Sequence, residues 1–379
     1  MPLAIVHDYL NQLGGAEKVL SAFLRLVPDA TVYTSVARPD VVAACLPPVV
    51  PVKTSFLQRL PLAVTHTRLY LALLPLAFER LNLHGHRLVL SISSAFAKGV
   101  QPPEGVPHLC YCQTPMRFAW NLDGYMRYER VSALAKATVR LLMVRFREWD
   151  VRTSQTVTEF IAISRTVQER IRRFYGRESR IIYPPVETSL YHPVPAEEKG
   201  DYYLVLSRLL PYKRIDVAIE ACNRLGLPLI VAGEGRDEPR LRRLAGSTVR
   251  FTGRVPDEEA VRLLARARAL ILTAEEDFGL TPIEAMASGT PVIAYRASGA
   301  TETVLEGETG IFFDRQEAES LIQAIKRFNP SDYDPWRCVE QARQFDSARF
   351  WTQWKHLLQQ YGFSSLPVQT SVSRYAAGS

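Results

Sequence analysis

The sequence predicts an α/β protein made of two doubly wound domains, each built on a parallel β-sheet. In the C-terminal half, short apolar runs alternate with amphipathic segments, which is the pattern of βαβ units around a parallel sheet. The N-terminal half repeats this pattern less evenly. The chain has 379 residues, 47% of them hydrophobic and 22% charged, so it is long enough for two or three domains with full-sized cores.

The strands are predicted from β-branched and apolar runs that end at polar or Gly-containing loops. In the N-terminal half the predicted strands are Leu3–Val6, Leu88–Ile92, Leu109–Cys112, Phe160–Ile163 and Ile181–Ile182. In the C-terminal half they are Tyr203–Leu206, Leu229–Ala232, Val249–Thr252, Leu270–Thr273, Val292–Ala294 and Ile311–Phe313. Amphipathic helices are expected at Val261–Ala267 and Ser320–Phe328.

A segment rich in prolines and charges separates the two halves. Tyr183-Pro184-Pro185 and Tyr191-His192-Pro193 exclude a helix, and Glu197-Glu198-Lys199 favours an exposed position. The predicted organisation is an N-terminal domain (1–185), a linker (186–200), a C-terminal domain (201–345), a helix (346–362) and a flexible tail (363–379). We expect ligands in a cleft where the carboxyl ends of the two sheets meet, because ligands of open α/β sheets bind outside those ends.

Composition and charge restrict the class of protein further. Five cysteines are an odd number without the spacing of a disulfide framework, and no signal-like segment precedes the first strand, so we expect a reduced, cytoplasmic protein. The apolar stretch from Leu57 to Leu83 is too interrupted by charges and prolines for a membrane-spanning helix. The net charge of +7 suits an anionic substrate, an anionic membrane surface or nucleic acid.

The loop after the first strand contains the paired glycines Gly14 and Gly15, followed by apolar residues at helical spacing. Glycines at a strand-to-helix turn let backbone N–H groups approach an anion at the helix start. The alternative is a tight turn that needs a positive φ angle. The pattern alone does not choose between them.

Two loops of the C-terminal half are candidates for binding a ligand, one through a diphosphate and the other through hydroxyl groups. Arg208 and Lys213 follow one strand and are close enough in sequence to converge on a diphosphate, although a solvated basic loop is the more common explanation of an isolated pair of cations. Glu276 and Glu284 flank Gly279 in a second loop. Thr281 to Glu284 has the sequence of a helix capping box, which explains Glu284 structurally but leaves Glu276 without a structural role.

Other constellations are weaker. Asp332-Tyr333-Asp334, His84-Gly85-His86 and Cys110-Tyr111-Cys112 lack the spacing of a dedicated metal site, so neither a metal nor a cofactor is predicted. There is no Gly-x-Ser-x-Gly elbow and no phosphate loop ending in Gly-Lys-Ser/Thr. Hydrolases and P-loop kinases are therefore disfavoured, and the absence of an aromatic and basic platform disfavours nucleic acid as a partner.

The chain resembles the family-4 retaining glycosyltransferases of the GT-B fold, in the branch of bacterial mannosyltransferase-like enzymes that build O-antigen and exopolysaccharide. The resemblance rests on His7-Asp8-Tyr9-Leu10 with Gly14-Gly15-Ala16-Glu17-Lys18, Tyr111-Cys112-Gln113-Thr114-Pro115-Met116-Arg117, Ser207-Arg208 with Lys213, Gly233-Glu234-Gly235, Phe251-Thr252-Gly253, and the segment from Glu276 to Glu284. It implies two Rossmann-like domains that face each other across a cleft. It also implies a C-terminal helix, with Phe350, Trp351 and Trp354, that crosses back to the N-terminal domain.

The resemblance implies roles for individual residues. The expected catalytic residues are Glu276, Arg208, Lys213 and Gln113. The residues expected to bind the nucleotide sugar are Gly14, Gly15, Arg208, Lys213, Val255, Glu276, Phe278, Gly279, Leu280, Thr281 and Glu284. Among them, Arg208 and Lys213 bind the diphosphate, Glu276 contacts hydroxyls of the transferred sugar, and Glu284 holds the ribose. The donor lies in the C-terminal domain and the acceptor in the N-terminal one.

Two positions depart from the family's pattern. Gln113 stands where the family often has His in Tyr-Cys-His-Thr-Pro, and Ser298-Gly299 stands where paired glycines are usual. A Gln amide donates a hydrogen bond but carries no charge and moves no proton. The expected function is metal-independent transfer of a hexose, with GDP-mannose as donor, to a glycan or polyprenyl-diphosphate-linked acceptor. The alternatives are a UDP-sugar-dependent transferase and a weakened sugar-nucleotide-binding module.

The sequence also suggests peripheral attachment to the inner face of the plasma membrane through the N-terminal domain. Basic residues accompany two apolar segments: Lys53, Arg59 and Arg68 near the first, and Lys136, Arg140, Arg145, Arg147 and Arg152 along the second. The alternative, of equal weight, is that these segments belong to the core and their cations form a solvated face.

Overall fold

The structure is a computed structural model that describes residues 2–122 and 133–363, of which residues 133–138 are described by their backbone only. Within these residues the chain forms two compact units. Unit 1 contains the chain up to Tyr183 and the chain from Phe350 onward, and unit 2 contains Pro184–Arg349. The predicted flexible tail, apart from Phe363, and the side chain of Lys136 lie outside the described residues.

Unit 1 is built on a sheet of seven parallel strands in the order β3-β2-β1-β4-β5-β6-β7. The strands are β1 Leu3–His7, β2 Thr31–Thr34, β3 Val52–Thr54, β4 Leu88–Ser93, β5 His108–Cys112, β6 Glu159–Ala162 and β7 Ser179–Ile181. The helices that connect them are α1 Gly15–Leu26, α2 Pro39–Cys45, α3 Leu74–Glu79, α4 Arg117–Trp120, α5 Ala133–Ser154 and α6 Arg165–Tyr175. The winding reverses between β1 and β4, so the loops after these two strands meet at the carboxyl edge of the sheet.

Unit 2 is built on a sheet of six parallel strands in the order β10-β9-β8-β11-β12-β13. The strands are β8 Tyr203–Leu206, β9 Leu229–Ala232, β10 Val249–Gly253, β11 Ala269–Leu272, β12 Val292–Tyr295 and β13 Gly310–Phe313. The helices are α7 Ile215–Leu225, α8 Glu238–Leu244, α9 Asp257–Arg266, α10 Leu280–Ala287, α11 Ala300–Thr303, α12 Ala318–Arg327 and α13 Pro335–Arg343. Here the winding reverses between β8 and β11.

Short 3-10 helices complete both units. They are Phe56–Arg59, Thr67–Leu73, Ala97–Gly99, Thr188–Leu190, Ala196–Glu198, Pro211–Lys213 and Pro330–Asp332. The stretch from Leu57 to Leu83 is formed by two of these and by α3, and no helix in the described part of the chain is both long enough and apolar enough to cross a bilayer.

The predicted fold class is confirmed, because both sheets have the strand order of a Rossmann-like domain. Every predicted strand is present within one or two residues of its expected bounds. Two strands were missed, β2 and β3, which are short and contain polar residues; β3 lies at the edge of the sheet of unit 1 and β2 lies next to it. Strands of three or four residues lack the long apolar run that identified the central strands.

The segment 186–200, which the sequence suggested as a linker, is part of unit 2. The Val186 N–H donates to the Phe345 carbonyl at 3.3 Å, and the Thr188 hydroxyl donates to the Asp346 carboxylate. These contacts tie the beginning of unit 2 to its end.

The C-terminal helix α14, Ser347–Gln360, returns the chain to unit 1, as the fold class predicted. The ring of Phe350 lies 5.2 Å from that of Phe23, and the ring of Trp354 lies 5.3 Å from that of Tyr111. All four side chains are at most 2% exposed. The helix therefore completes the core of unit 1 beside α1 and β5.

Candidate functional site

In unit 2, the loops that carry Arg208, Lys213 and Glu276 leave two neighbouring strands at the point where the winding reverses. β8 pairs with β11 through Tyr203–Ala269 and Leu204–Leu270, so the loops that follow these strands lie side by side. The Lys213 ammonium donates a hydrogen bond to the Glu276 carboxylate, and their side chains are only 11% and 21% exposed. The structure thus brings together two of the predicted site residues at the edge where open α/β sheets bind ligands.

Hydrogen bonds from neighbouring loops fix the backbone of the Lys213 loop. The Thr273 hydroxyl donates to the Lys213 carbonyl at 2.7 Å, and the Gln316 amide donates to the Thr273 carbonyl at 2.7 Å. The Lys213 ammonium also lies 5.2 Å from the centre of the Tyr212 ring. These contacts hold Lys213 in place and involve no carboxylate. Among the described residues, the carboxylate that pairs with the ammonium is that of Glu276.

Two glycines of the Gly233-Glu234-Gly235 motif let the neighbouring loop pack under Arg208. A Cβ atom at Gly233 would lie 1.9 Å from the Ser207 carbonyl oxygen, and a Cβ atom at Gly235 would lie 2.2 Å from the Leu209 carbonyl oxygen. Gly233 also has a φ of +132°. No side chain fits at either place, so this motif shapes the loop that presents the exposed Arg208.

Helix α10 begins two residues earlier than the sequence suggested. Its first residue is Leu280, and the residue before it, Gly279, has a φ of +86° and leaves the helix start without a side-chain cap. The predicted capping box between Thr281 and Glu284 is therefore wrong. The left-handed conformation of Gly279 turns the chain into the helix early, so Thr281 is already helical and Glu284 lies in the second turn. Capping does not account for Glu284.

Glu284 has a different partner, the hydroxyl of Tyr191. This hydrogen bond and burial hold the pKa of Tyr191 well above its ordinary value, with burial as the larger cause, so the phenol stays protonated and donates to the carboxylate. Tyr191 was missed as a site residue because it lies in the proline-rich segment interpreted as a linker. The only signal was an aromatic residue next to His192-Pro193.

The segment that departs from the family's glycine pattern packs directly on the Glu276 loop. A Cβ atom at Gly299 would lie 2.3 Å from the Phe278 carbonyl oxygen, and the Gly299 N–H donates to the Glu276 carbonyl at 2.9 Å. Ser298 adopts a φ of +48°, a conformation that favours glycine, and its hydroxyl donates to Glu275 at 2.9 Å. The substituted serine therefore keeps the backbone shape of a glycine.

The remaining predicted residues of unit 2 occupy distinct positions. The Phe278 side chain is 3% exposed and packs on Phe345 at 5.6 Å, so only its backbone is available to a ligand. Leu280 and Thr281 form the first turn of α10. Val255 is partly buried between β10 and α9, at the edge of the sheet.

In unit 1, the start of α1 is occupied by a carboxylate. Gly14 has φ −162° and ψ −165°, which is extended backbone, so the alternative of a turn with positive φ is wrong at this glycine. Gly15 is the first residue of the helix. Glu17, 3% exposed, directs Oε2 to within 3.2 Å of where a Gly14 Cβ would lie, and its Oε1 is 3.3 Å from His7 Nε2. A phosphate that approached Gly14 would meet this acidic group.

Asp8 joins the loops of β1 and β4 where the winding of unit 1 reverses. Its Oδ2 accepts hydrogen bonds from the Ser94 N–H, the Ser94 hydroxyl and the Ala95 N–H at 2.7–3.1 Å. Its Oδ1 accepts from the Phe96 and Ala97 N–H groups, both at 2.7 Å. Asp8 is 2% exposed, so this carboxylate neutralises four backbone donors inside the unit. The sequence indicated its position after β1, but not this role.

Gln113 follows β5 at the carboxyl edge of the same sheet. Its N–H donates to the Ser93 carbonyl at 2.8 Å, which fixes the backbone. Its side-chain Nε2 and the neighbouring Thr114 Oγ1 are shielded from solvent and have no hydrogen-bond partner among the described residues. Buried polar atoms without partners are uncommon in folded proteins, so these two atoms mark a place where a ligand or a water molecule would supply the missing hydrogen bonds.

The acidic triplet Asp332-Tyr333-Asp334 serves local structure. Asp334 caps helix α13 by accepting from the Trp336 N–H at 2.9 Å, and Asp332 accepts from the Asn329 amide at 2.9 Å. Over residues 2–122 and 133–363, no group of three or more His, Cys, Asp or Glu side chains has the arrangement of a metal site. The five cysteines are free thiols.

The amino-acid sequence matches known relatives over part of its length. Residues 190–345 match the family described as Glycosyl transferases group 1. A D-inositol 3-phosphate glycosyltransferase of Corynebacterium urealyticum is 31% identical over 157 residues, which are 39% of this chain and 37% of the relative. A GDP-mannose-dependent alpha-(1-6)-phosphatidylinositol monomannoside mannosyltransferase of Mycolicibacterium smegmatis is 30% identical over 193 residues, 43% of this chain and 50% of the relative. The matches thus span half or less of these relatives.

The similarity of fold extends over nearly the whole chain. Anabaena Alr3699/HepE in complex with UDP-glucose has a TM-score of 0.69 at 19% identity, covering 94% of this chain and 99% of that one. Sucrose-phosphate synthase from Thermosynechococcus elongatus has a TM-score of 0.68 at 19% identity, covering 96% and 100%. The protein therefore has the GT-B fold, and residues 190–345, which lie in unit 2, match the family described as Glycosyl transferases group 1.

Proposed function

We propose that the protein is a metal-independent retaining glycosyltransferase, which moves a hexose from a nucleotide sugar to a glycan or polyprenyl-diphosphate-linked acceptor in surface polysaccharide synthesis. The observation that carries this proposal is the contact between Lys213 and Glu276, beside Arg208, where the winding of unit 2 reverses. A cation for a diphosphate and a carboxylate for sugar hydroxyls are the two groups that a donor requires at its reacting end.

The chemistry follows from these charges. When the bond between sugar and diphosphate breaks, negative charge develops on the departing phosphate. Lys213 and Arg208 stabilise that charge, and the N–H groups at the first turn of α10 add the positive end of a helix. In the absence of donor, Glu276 balances the Lys213 ammonium. When the donor binds, the Lys213 ammonium exchanges its contact with Glu276 for a contact with the phosphate. Glu276 then accepts hydrogen bonds from the sugar.

Glu284 is proposed to hold the ribose of the donor. Its carboxylate is oriented by the Tyr191 hydroxyl and has no capping role in α10. A carboxylate has room for several donors, so it accepts from Tyr191 and from ribose hydroxyls together. The backbone near Val255 lies at the edge of the sheet, where the base is proposed to bind.

GDP-mannose is the proposed donor, and a UDP-sugar is the alternative. The mannosyltransferase of M. smegmatis that is 30% identical over 193 residues is named as GDP-mannose-dependent. The structures of HepE contain UDP and UDP-glucose. Calorimetric titration of the full chain with GDP and with UDP distinguishes the two, and we expect tighter binding of GDP. Binding of neither nucleotide contradicts the proposal of a sugar-nucleotide site.

Unit 1 is proposed to bind the acceptor through Gln113. Its Nε2 and the Thr114 hydroxyl are neighbouring buried polar atoms without a hydrogen-bond partner among the described residues, and a sugar hydroxyl satisfies both. The test of activity is release of nucleoside diphosphate with a lipid-linked acceptor, in the presence and absence of EDTA. We expect turnover to be unaffected by EDTA. Nucleotide binding without turnover would favour the alternative of a weakened binding module.

Peripheral attachment to an anionic membrane is proposed for unit 1. Leu62 is 63% exposed, Leu69 70% and Leu141 67%, and the exposed Arg59 lies close to the first two in sequence. Some of the predicted membrane cations have local partners instead: Lys53 donates to the Tyr33 hydroxyl, Arg147 to the Ala119 carbonyl and Arg152 to Glu79. We expect co-sedimentation with phosphatidylglycerol vesicles that is lost at high salt and in Leu62→Ser/Leu69→Ser/Leu141→Ser. An absence of vesicle binding at low salt contradicts attachment.

A further inference from the structure

A groove of about 500 Å³ lies in unit 1 between the edge of the sheet and helix α3. The side chains that matter for its chemistry are Tyr33, Lys53, Phe56, Arg80, Asn82 and His84. They come from β2, from β3 and the loop after it, and from the chain that follows α3. The groove contains none of the residues assigned to the nucleotide sugar.

The lining of this groove is basic. Lys53, Arg80 and His84 contribute to it, and no Asp or Glu is among its lining residues. Glu79, the neighbour of Arg80, is engaged elsewhere, because it accepts hydrogen bonds from Trp149 Nε1 at 2.7 Å and from Arg152 at 3.1 Å. The groove therefore presents positive charge that no acidic side chain within it balances.

A chain of hydrogen bonds fixes one side of the groove. Lys53 Nζ donates to the Tyr33 hydroxyl at 3.3 Å, and this hydroxyl is 2.9 Å from His86 Nε2. Tyr33 is 1% exposed, so the phenol gives the Lys53 side chain a rigid support. Burial and the charge of Lys53 together lower the pKa of His86, which agrees with a positive potential at this end of the groove.

We propose that this groove is a second anion site, which binds a phosphate group independently of the nucleotide-sugar site in unit 2. Arg80 offers a planar pair of donors and Lys53 a point charge, the combination that suits a phosphate. Asn82 adds an amide donor, because its side-chain oxygen is already used by the His84 N–H at 3.0 Å. Phe56, which is 37% exposed, gives apolar surface for the group attached to the phosphate. A lipid headgroup and a soluble phosphate ester share this chemistry.

The test uses the full chain in an Arg208→Ala/Lys213→Ala background, which removes the cations of the proposed donor site. Inorganic phosphate is titrated by calorimetry at low ionic strength. We expect Lys53→Gln and Arg80→Gln each to weaken phosphate binding by about tenfold or more. Lys53→Arg and Arg80→Lys should retain most of the affinity. The matched control is Lys326→Gln, which removes an exposed cation from unit 2 and should change nothing.

Phosphate affinity that is equal in the parent, Lys53→Gln and Arg80→Gln overturns the proposal, and so does a parent that binds no phosphate. Because the background lacks the donor cations, either result leaves the proposed glycosyl transfer untouched. Vesicles of phosphatidylcholine with phosphatidic acid then identify the source of the phosphate. Vesicle binding that free phosphate displaces and Arg80→Gln abolishes supports a lipid headgroup. Phosphate binding that vesicles do not compete with supports a soluble phosphate ester.

Discussion

Replacing Gly235 by alanine tests whether the loop under Arg208 controls donor binding. The new Cβ atom would lie 2.2 Å from the Leu209 carbonyl oxygen, whereas ordinary contact begins at 3.4 Å. The obstructing atoms belong to the backbone, so no side chain is able to rotate out of the way. The carbonyl must therefore retreat by about 1 Å, and Arg208, the residue before Leu209, moves with it.

A displacement of this size is enough to weaken charge-assisted hydrogen bonds from Arg208 to a phosphate. Such bonds contribute about 1.5–3 kcal/mol, so loss of one raises the donor dissociation constant about tenfold to a hundredfold. Overpacking itself costs about 1–3 kcal/mol of unfolding free energy. We therefore expect Gly235→Ala to lower both the melting temperature and the affinity for nucleoside diphosphate.

The matched control is Gly226→Ala. Gly226 ends helix α7 with a φ of +65°, and a Cβ atom there would meet nothing within 4 Å. This variant should lose about 1 kcal/mol of stability through backbone strain but bind the nucleotide like the parent. Both affinities are measured by calorimetry and both stabilities by urea denaturation. Equal nucleotide affinity in Gly235→Ala and Gly226→Ala would refute the coupling between the glycine and Arg208.

Three further substitutions test other parts of the structure. Glu284→Gln keeps an acceptor for Tyr191 and removes no helix cap, so we expect an unchanged melting temperature. We expect calorimetry to show nucleotide binding that is about tenfold weaker. Unchanged affinity would contradict the ribose role. Gln113→Ala should lower kcat/KM about tenfold and Gln113→His by less, measured by release of nucleoside diphosphate, and equal losses would contradict a hydrogen bond from this position. Asp8→Ala leaves four backbone N–H groups without an acceptor, and each costs about 1–3 kcal/mol. Urea denaturation should therefore show that the free energy of unfolding falls by at least about 4 kcal/mol. A loss under about 1 kcal/mol would show that water replaces the carboxylate.

The sequence predicted the central strands well and the local geometry of the site poorly. Central strands such as β8 and β9 are buried on both faces and form uninterrupted apolar runs, which a pattern search finds with correct bounds. The start of α10 was misplaced because Thr281-Pro282-Ile283-Glu284 satisfies the capping-box pattern. The conformation of Gly279, which decides where the helix begins, depends on the fold around it.

Contacts between residues distant in sequence were beyond prediction from a pattern. Tyr191 and Glu284 are 93 positions apart, and Asp8 accepts from donors more than 80 positions away. Such pairs follow from strand order, which places loops of different strands at one edge of a sheet. Lys213 and Glu276 were both predicted as site residues, but their direct contact follows only from the pairing of β8 with β11.

The return of α14 to unit 1 has a consequence for synthesis of the chain on the ribosome. Phe23 and Tyr111 are made early, but Phe350 and Trp354, which cover them, are added only after all of unit 2. Unit 2 is continuous in sequence and is able to fold as soon as it emerges, whereas the apolar surface of unit 1 stays open until α14 has been made. Translation that stops short of this helix therefore yields a nascent chain with exposed aromatic rings, a substrate for chaperones or proteases.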